Sequence, residues 1–222
     1  MKKTNWLQKE SLRLVIIALP FLFLALFWTE LPDQIPLHWN LQGQPDGYGS
    51  KFAFLGLAAL NLLLFGLFLL LPHLDPKGKS YALAQRRWHV LQVILHLFFT
   101  YIFFIIGLTA LGYQLPVGLT IKYGLIGLFL ILGTYLGKLR RNNFIGIKTP
   151  WTLRSDYVWH KTHRFAATIW VLSSLIMLIY NFWEKKYPWA FFAYLALLVV
   201  VPVIYSYIIY KQQPKAPSHS KE

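Results

Sequence analysis

The chain has 222 residues, 56% of them hydrophobic and 18% aromatic, and only 14% are charged. A typical soluble domain carries about 25% charged residues, so an ordinary water-soluble globule is excluded. The formal net charge is +14 and there is no Cys, which removes disulfides, thiol catalysis and Cys-ligated metal sites.

Six apolar stretches follow one another, at 12–28, 52–71, 88–111, 117–136, 165–183 and 189–210, each of 17 to 24 residues. A helix needs about 20 residues to cross a hydrocarbon core of ~30 Å, and backbone groups in lipid must be satisfied within the segment. The pattern therefore predicts an all-α membrane protein with six transmembrane helices. The first stretch does not read as a signal peptide, because it lacks a small-residue cleavage site and Glu30, Pro32 and Asp33 follow it directly. Pro20 is a candidate kink. With the N-terminus inside, the inner segments hold eighteen Lys and Arg and the outer segments three, with Lys122 inside the fourth stretch. That asymmetry predicts a multi-pass membrane protein with both termini cytoplasmic. It also accounts for nearly all of the net charge, so no nucleic-acid partner is expected; the bilayer is. Trp28, Trp88, Trp183, Trp189, Tyr113 and Tyr135 sit at span ends, as an interfacial aromatic belt would.

The outer loop, 29–51, is too specific for a plain connection. Pro32 and Pro36 favour extended backbone before them. Ile35, Leu37, Trp39 and Leu41 alternate with Pro36, His38 and Asn40, which suggests a short strand or an extended surface segment. Pro45-Asp46-Gly47 reads as a turn, with Gly49 as a second permissive position. Two readings stand: a rigid cap on the helix ends, or a ligand-facing site built from His38, Trp39, Asn40, Asp46, Tyr48 and Lys51. Two ligands, His38 and Asp46, are too few for a metal site.

After an inner turn at Asp75-Pro-Lys-Gly78, the third span carries Gln85, His89, Gln92, His96 and Thr100 at helical spacing, on one stripe. It is read either as helix-packing hydrogen bonds or as the wall of a polar cavity. Asn61 and Thr134 are further polar positions within spans. Lys122 is expected to snorkel outward. Gly56, Gly66, Gly107, Gly124, Gly127, Gly133 and Gly137 would allow close helix approach, with Gly133-x-x-x-Gly137 as a packing motif.

The inner segment, 138–164, is the most distinctive run. Asn142, Asn143 and Gly146 end the fourth helix, and Thr149-Pro150 imposes a non-helical step. Ser155-Asp156 starts a new helix, Ser155 as N-cap and Asp156 at the positive dipole end, running into the fifth span. On it His160, His163 and Arg164 are expected to share one face, with Trp159 beside His163 at i+4. Those three residues would suit acid, base and anion-binding roles in a membrane enzyme acting on a lipid or phosphate-bearing envelope molecule. His160 and His163 alone are a poor metal site. No nucleophile–base–orienter set is readable, so a non-enzymatic protein without a cofactor or metal is expected. A small channel or transporter built on the third-span stripe is disfavoured because no carboxylate is predicted within a span. The tail, 212–222, is polar and is expected to be disordered.

The run "NNFIGIKTPWTLRSDYVWHKTHR" resembles the hallmark of the SdpI family of bacterial membrane proteins. The run "IPLHWNLQGQPDGYGSK" is similar to the signature of the uncharacterised domain that often forms the first part of those proteins. The resemblance implies one six-helix membrane domain over 1–211, with a helix pair at 12–72 carrying the outer-loop motif and a pair at 117–183 carrying the family motif. It maps the inner motif onto Asn143, Ile145, Gly146, Thr149, Pro150, Trp151, Thr152, Val158, Trp159, Thr162, His163 and Arg164, with His160 beside them. It maps the outer motif onto Pro36, His38, Trp39, Gly43, Pro45, Asp46 and Gly47. Ala166-Ala167 departs from the family pattern, which has a glycine soon after the Thr-His-Arg run. The best-known member protects a toxin-producing cell from its own secreted, membrane-active peptide and draws a cytoplasmic repressor to the membrane. By resemblance, this chain is expected to be an immunity or resistance protein whose partners are a hydrophobic peptide toxin and a cytoplasmic regulator.

Overall fold

A computed structural model of the chain describes residues 6–40, 43–74, 85–143, 145–182 and 187–213. In chain order the elements are α1 (Trp6–Phe27), β1 (Gln34–Trp39), β2 (Pro45–Ser50), α2 (Lys51–Leu74), α3 (Gln85–Ala110), α4 (Val117–Leu136), α5 (Pro150–Arg154), α6 (Asp156–Tyr180) and α7 (Pro188–Gln212). All the helices except α5 contain an apolar span of 18 to 25 residues, enough to cross a bilayer. Their outward faces are apolar as well: Leu63 is 70% exposed, Ile176 67% and Val199 63%. Contiguous apolar surface of this extent is not tolerated in water, so these faces meet lipid.

The bundle has two halves. In the first, α1, α2 and α3 close around Phe23, Leu24, Phe54, Phe103 and Ile106, and the antiparallel β1–β2 hairpin seals one end of that core with Ile35, which is fully buried. In the second, α4, α6 and α7 pack around Ile126, Met177, Tyr194 and Leu198. Helices α3 and α4 join the halves: Tyr101 donates its hydroxyl to the Thr120 carbonyl at 2.8 Å, and its ring lies where a side chain on Gly124 would be. On α4, Gly133 lets α6 approach at Trp170 and Val171, and Gly137 does so at Ala167. Gly107 makes room for Phe23 and Phe54, whereas Gly56, Gly66 and Gly127 face open space and are not packing positions.

Two local readings are corrected, both in the hairpin. Pro45-Asp46-Gly47 lies in β2 rather than in a turn. The chain reverses earlier, where the Asn40 side chain accepts from the Gln44 N–H at 2.9 Å and Gly43 adopts φ +79°. Gly47 and Gly49 are needed instead because His38 and Leu37 of β1 lie against them. As expected, the helix of the fifth span begins at Asp156, where Ser155 caps it by accepting from the Val158 N–H. The short helix α5 precedes it, with Pro150 at its first position, where a missing N–H costs nothing. The turn expected at Asp75–Gly78, Leu41, Trp183 and the tail from 214 lie outside the described residues.

Candidate functional site

One end of the bundle carries the hairpin and the 112–116 turn; the other carries the 138–155 segment. At the hairpin end, four of the six expected ligand residues hold the hairpin together or face away from any cavity. His38 Nδ1 lies 2.5 Å from Asp46 Oδ1, and both side chains are exposed. Lys51 Nζ pairs with Asp33 at 3.0 Å and sits over the Trp28 ring. Tyr48 is exposed. These are cap interactions; exposed pairs of this kind contribute little to stability.

Trp39 and Asn40 do line a cavity of about 830 Å³. It lies between the hairpin turn, the 109–116 connection, the first two turns of α4 and the start of α7. Its polar groups come from Asn40, Gln44, Thr109, Gln114 and Lys122, and its apolar wall from Trp39, Leu115, Leu125, Phe191 and Phe192. The volume falls within the ~300–1,000 Å³ of small-ligand pockets. Lys122 does not simply snorkel to the surface: its ammonium lies 5.6 Å from the Phe191 ring centroid, on the cavity wall. The sequence signalled Lys122 only as a charge in a span. It gave no sign of Phe191, since α7 is apolar throughout.

At the opposite end, the family motif folds inward on itself. Asn142 is the residue that shapes the turn: its Oδ1 accepts from the Ile145 N–H at 2.7 Å, and its Nδ2 donates to the Arg140 and Ile145 carbonyls. Asn143, the expected motif position, is half-buried beside it. Gly146 has φ +122°, reserved in practice for glycine, and a side chain there would strike His163 and Trp159. His163 is fully buried, stacked on Trp159 with centroids 4.0 Å apart. Its Nδ1 bonds the Trp159 carbonyl at 2.8 Å, and the Ile147 N–H donates to its Nε2 at 2.9 Å. A backbone carbonyl only accepts and an N–H only donates, so these bonds define the neutral ring with its proton on Nδ1. Both nitrogens are thus engaged by backbone groups. The expected shared face divides by exposure: Trp159, Thr162 and His163 are buried, while His160 and Arg164 are exposed.

The rest of the motif closes the same structure. Thr149 and Thr152 form a capping box on α5, and the Thr152 hydroxyl also reaches the Ile147 carbonyl at 2.9 Å. Trp159 Nε1 donates to the Leu139 carbonyl at 2.9 Å. Trp151 donates to Ser206 Oγ at 2.7 Å and stacks on Tyr210, fastening α5 to α7. Arg141, unnoticed in the sequence as more than a topology charge, grips Asp156 through two nitrogens and donates to the Leu153 carbonyl.

The α3 stripe resolves toward packing. Gln92, His96 and Thr100 are buried, and His89 is half-buried. Asn61 Oδ1 of α2 accepts from His96 Nδ1 at 2.7 Å, Asn61 Nδ2 donates to Thr100 Oγ1 at 2.9 Å, and Thr100 donates to the Ile16 carbonyl of α1. Gln92 accepts from Arg13, which also pairs with Glu10 and lies 5.0 Å from the Phe65 centroid. Arg13 is 2% exposed, so this α1 arginine is an interior group as well as a topology signal. Two polar groups thus tie the helices together, one across α1, α2 and α3 and one between α1 and α3.

Six lipid-facing helices, a folded hairpin at one end and a self-closed polar motif at the other define a multi-pass helical membrane protein. A model of the SdpI/YfhL protein family matches residues 138–206, which run from the Asn142 turn through most of α7. A domain of unknown function, DUF1648, matches residues 15–62, covering most of α1, the hairpin and the first half of α2. The chain is 29% identical over 211 residues to the immunity protein SdpI of Bacillus subtilis (strain 168), an alignment covering 93% of this chain and 98% of that protein. No solved structure matches the chain. Residues 138–206 thus carry the SdpI/YfhL family match, and the chain is similar to the immunity protein SdpI along nearly its whole length.

Proposed function

We propose that the chain is an immunity or resistance protein that protects a bacterial plasma membrane against a secreted, membrane-active peptide. The alignment with an immunity protein over nearly its whole length supports the class. The single observation that carries the site is the cavity beside the hairpin, which offers Trp39, Phe191 and Phe192 to apolar side chains and Asn40, Gln44 and Gln114 to a peptide backbone. With both termini cytoplasmic, as the Lys and Arg distribution favours, this cavity opens on the outer side, where a secreted peptide arrives. At the other end Lys138, Arg140, Lys148, Arg154, Lys161 and Arg164 are all exposed. They offer a basic surface to a cytoplasmic regulator.

The enzyme reading loses its base with His163, whose nitrogens are both engaged by backbone. The transporter reading loses its pathway, because the α3 stripe is bonded into helix packing. The test is survival of a toxin-sensitive bacterium expressing the chain and challenged with a secreted peptide toxin of the family's type. Wild type is expected to protect. Trp39→Ala, at matched membrane abundance, is expected to protect less. Sensitivity unchanged by the wild-type chain would overturn the reading for that toxin class.

A further inference from the structure

We propose that Trp170 positions one wall of the cavity by latching α7 beside a hinge at Pro202. The use of that wall rests on the immunity reading; the latch rests on backbone hydrogen bonding.

Pro202 lies inside α7. Proline has no N–H, so the Leu198 carbonyl four residues earlier loses its partner within the helix. Between lipid-facing helices such a group must find another donor. Trp170 of α6 supplies one: its Nε1 donates to the Leu198 carbonyl at 2.9 Å. The first half of the bundle repeats the arrangement. Pro20 lies inside α1, and the carbonyl of Ile16, four residues before it, accepts from the Thr100 hydroxyl of α3 at 3.2 Å. In both halves a side chain of a neighbouring helix takes the place of the missing N–H.

Pro202 also separates two differently attached parts of α7. The inner part is fastened at the motif end, where Ser206 accepts from Trp151 and Tyr205 stacks on Phe165 with centroids 3.9 Å apart. The outer part brings Phe191 and Phe192 to the cavity. It is tied to α6 by the Trp170–Leu198 bond and by a 2.8 Å bond between the Tyr194 and Ser174 hydroxyls. Trp170 meets Phe129 edge-on, Phe129 meets Tyr194, and Tyr194 meets Phe191. The latch and the wall are thus the two ends of one aromatic row. A helix bends most readily where proline interrupts its ladder. Releasing the latch frees the outer part to swing at Pro202 and carry Phe191 and Phe192 with it, while the inner part stays on the motif. The latch therefore sets the width of the peptide site.

The test uses the full chain in phosphatidylcholine nanodiscs. The chain has no Cys, so introduced cysteines are unique spin-label sites. A Tyr113→Cys, Trp189→Cys pair reports the outer part of α7, and a Lys161→Cys, Ile208→Cys pair the inner part; all four positions are exposed. Trp170→Phe keeps a ring and removes the donor. It is expected to broaden the outer distance distribution, leave the inner one unchanged, and lower the thermal-unfolding midpoint by about 2–10 °C. Pro202→Ala restores an N–H four residues after Leu198. In that background Trp170→Phe is expected to broaden neither distribution and to lower the midpoint less. If Trp170→Phe alone does not fold, Trp170→Phe combined with Pro202→Ala is expected to fold. Equal broadening of both pairs, broadening of neither, the same loss in both backgrounds, or failure of both variants to fold overturns the inference. Survival under toxin is scored separately in the unlabelled chains. Protection by the wild type with an unchanged outer distribution in Trp170→Phe removes this inference and leaves the immunity reading. A broadened distribution restored by Pro202→Ala, without protection by the wild type, does the reverse.

Discussion

A methyl group on Gly146 would collide with Nε2 of His163, the atom that receives the Ile147 N–H. The absent side chain and the buried imidazole are therefore one device. Gly146→Ala strains a backbone at φ +122° and displaces the ring. A destabilisation of about 2–4 kcal/mol is expected, read as a lowered thermal-unfolding midpoint in detergent. Gly43→Ala, at φ +79° but with open space around it, should cost only about 1 kcal/mol.

His163→Phe keeps a ring against Trp159 and removes the acceptor for the Ile147 N–H. One orphaned, partly buried N–H is worth about 1–3 kcal/mol. His163→Ala should cost more, because it adds a cavity. Urea or thermal unfolding of both variants in detergent checks the order; a phenylalanine variant as stable as wild type would show that the hydrogen bonds are dispensable.

Arg13 and Glu10 make a pair inside the first half of the bundle. Glu10→Leu leaves the buried guanidinium with Gln92 as its side-chain partner and is expected to destabilise by about 3–5 kcal/mol. Combining Glu10→Leu with Arg13→Leu should recover much of that loss, since replacing a buried pair by apolar groups is often neutral. A double-mutant cycle on unfolding free energies measures the recovery.

Gly133 and Gly127 lie on the same helix yet should respond oppositely. A Cβ at Gly133 would stand 3.0 Å from Trp170 and Val171 side chains and 3.2 Å from the Val171 backbone nitrogen, so Gly133→Val must push α6 away at about 1–3 kcal/mol. Nothing lies within 4 Å of a Cβ at Gly127. Gly127→Ala should stabilise by about 0.5–1 kcal/mol through helix propensity alone. Parallel thermal scans of the two variants decide it.

The spans were legible because burial in lipid leaves only one solution, a helix about 20 residues long, and the apolar runs state its length directly. The Ser155 cap and the Trp159–His163 neighbourhood were legible for the same local reason: i, i+3 and i+4 relations lie within one helix. What the sequence hid depends on partners distant in the chain. Asn142 reads like Asn143 until Ile145 folds back onto it. Arg141 looks like one more inside charge until Asp156 arrives fifteen residues later. The burial of His163 was hidden because helical spacing groups residues into faces without saying which face is covered; the covering backbone at Ile147 comes from a loop with no periodicity. The cavity was least visible, since its walls come from the hairpin, the 109–116 connection, α4 and α7, and only its hairpin residues lay in a recognisable motif.

Ser50 ends β2 and, by accepting from the Ala53 N–H at 3.3 Å, caps α2, which starts at Lys51. Strand and helix therefore meet with no residue between them, whereas six residues separate α1 from β1. The connection on the α1 side is anchored by Leu31, which is buried in the core, and on the α2 side there is no connection at all. A single residue inserted between Ser50 and Lys51 would turn all of α2 by about 100° relative to the hairpin, carrying Asn61 off His96 and Phe54 out of its core. The register of the first half of the bundle is thus set at one peptide bond.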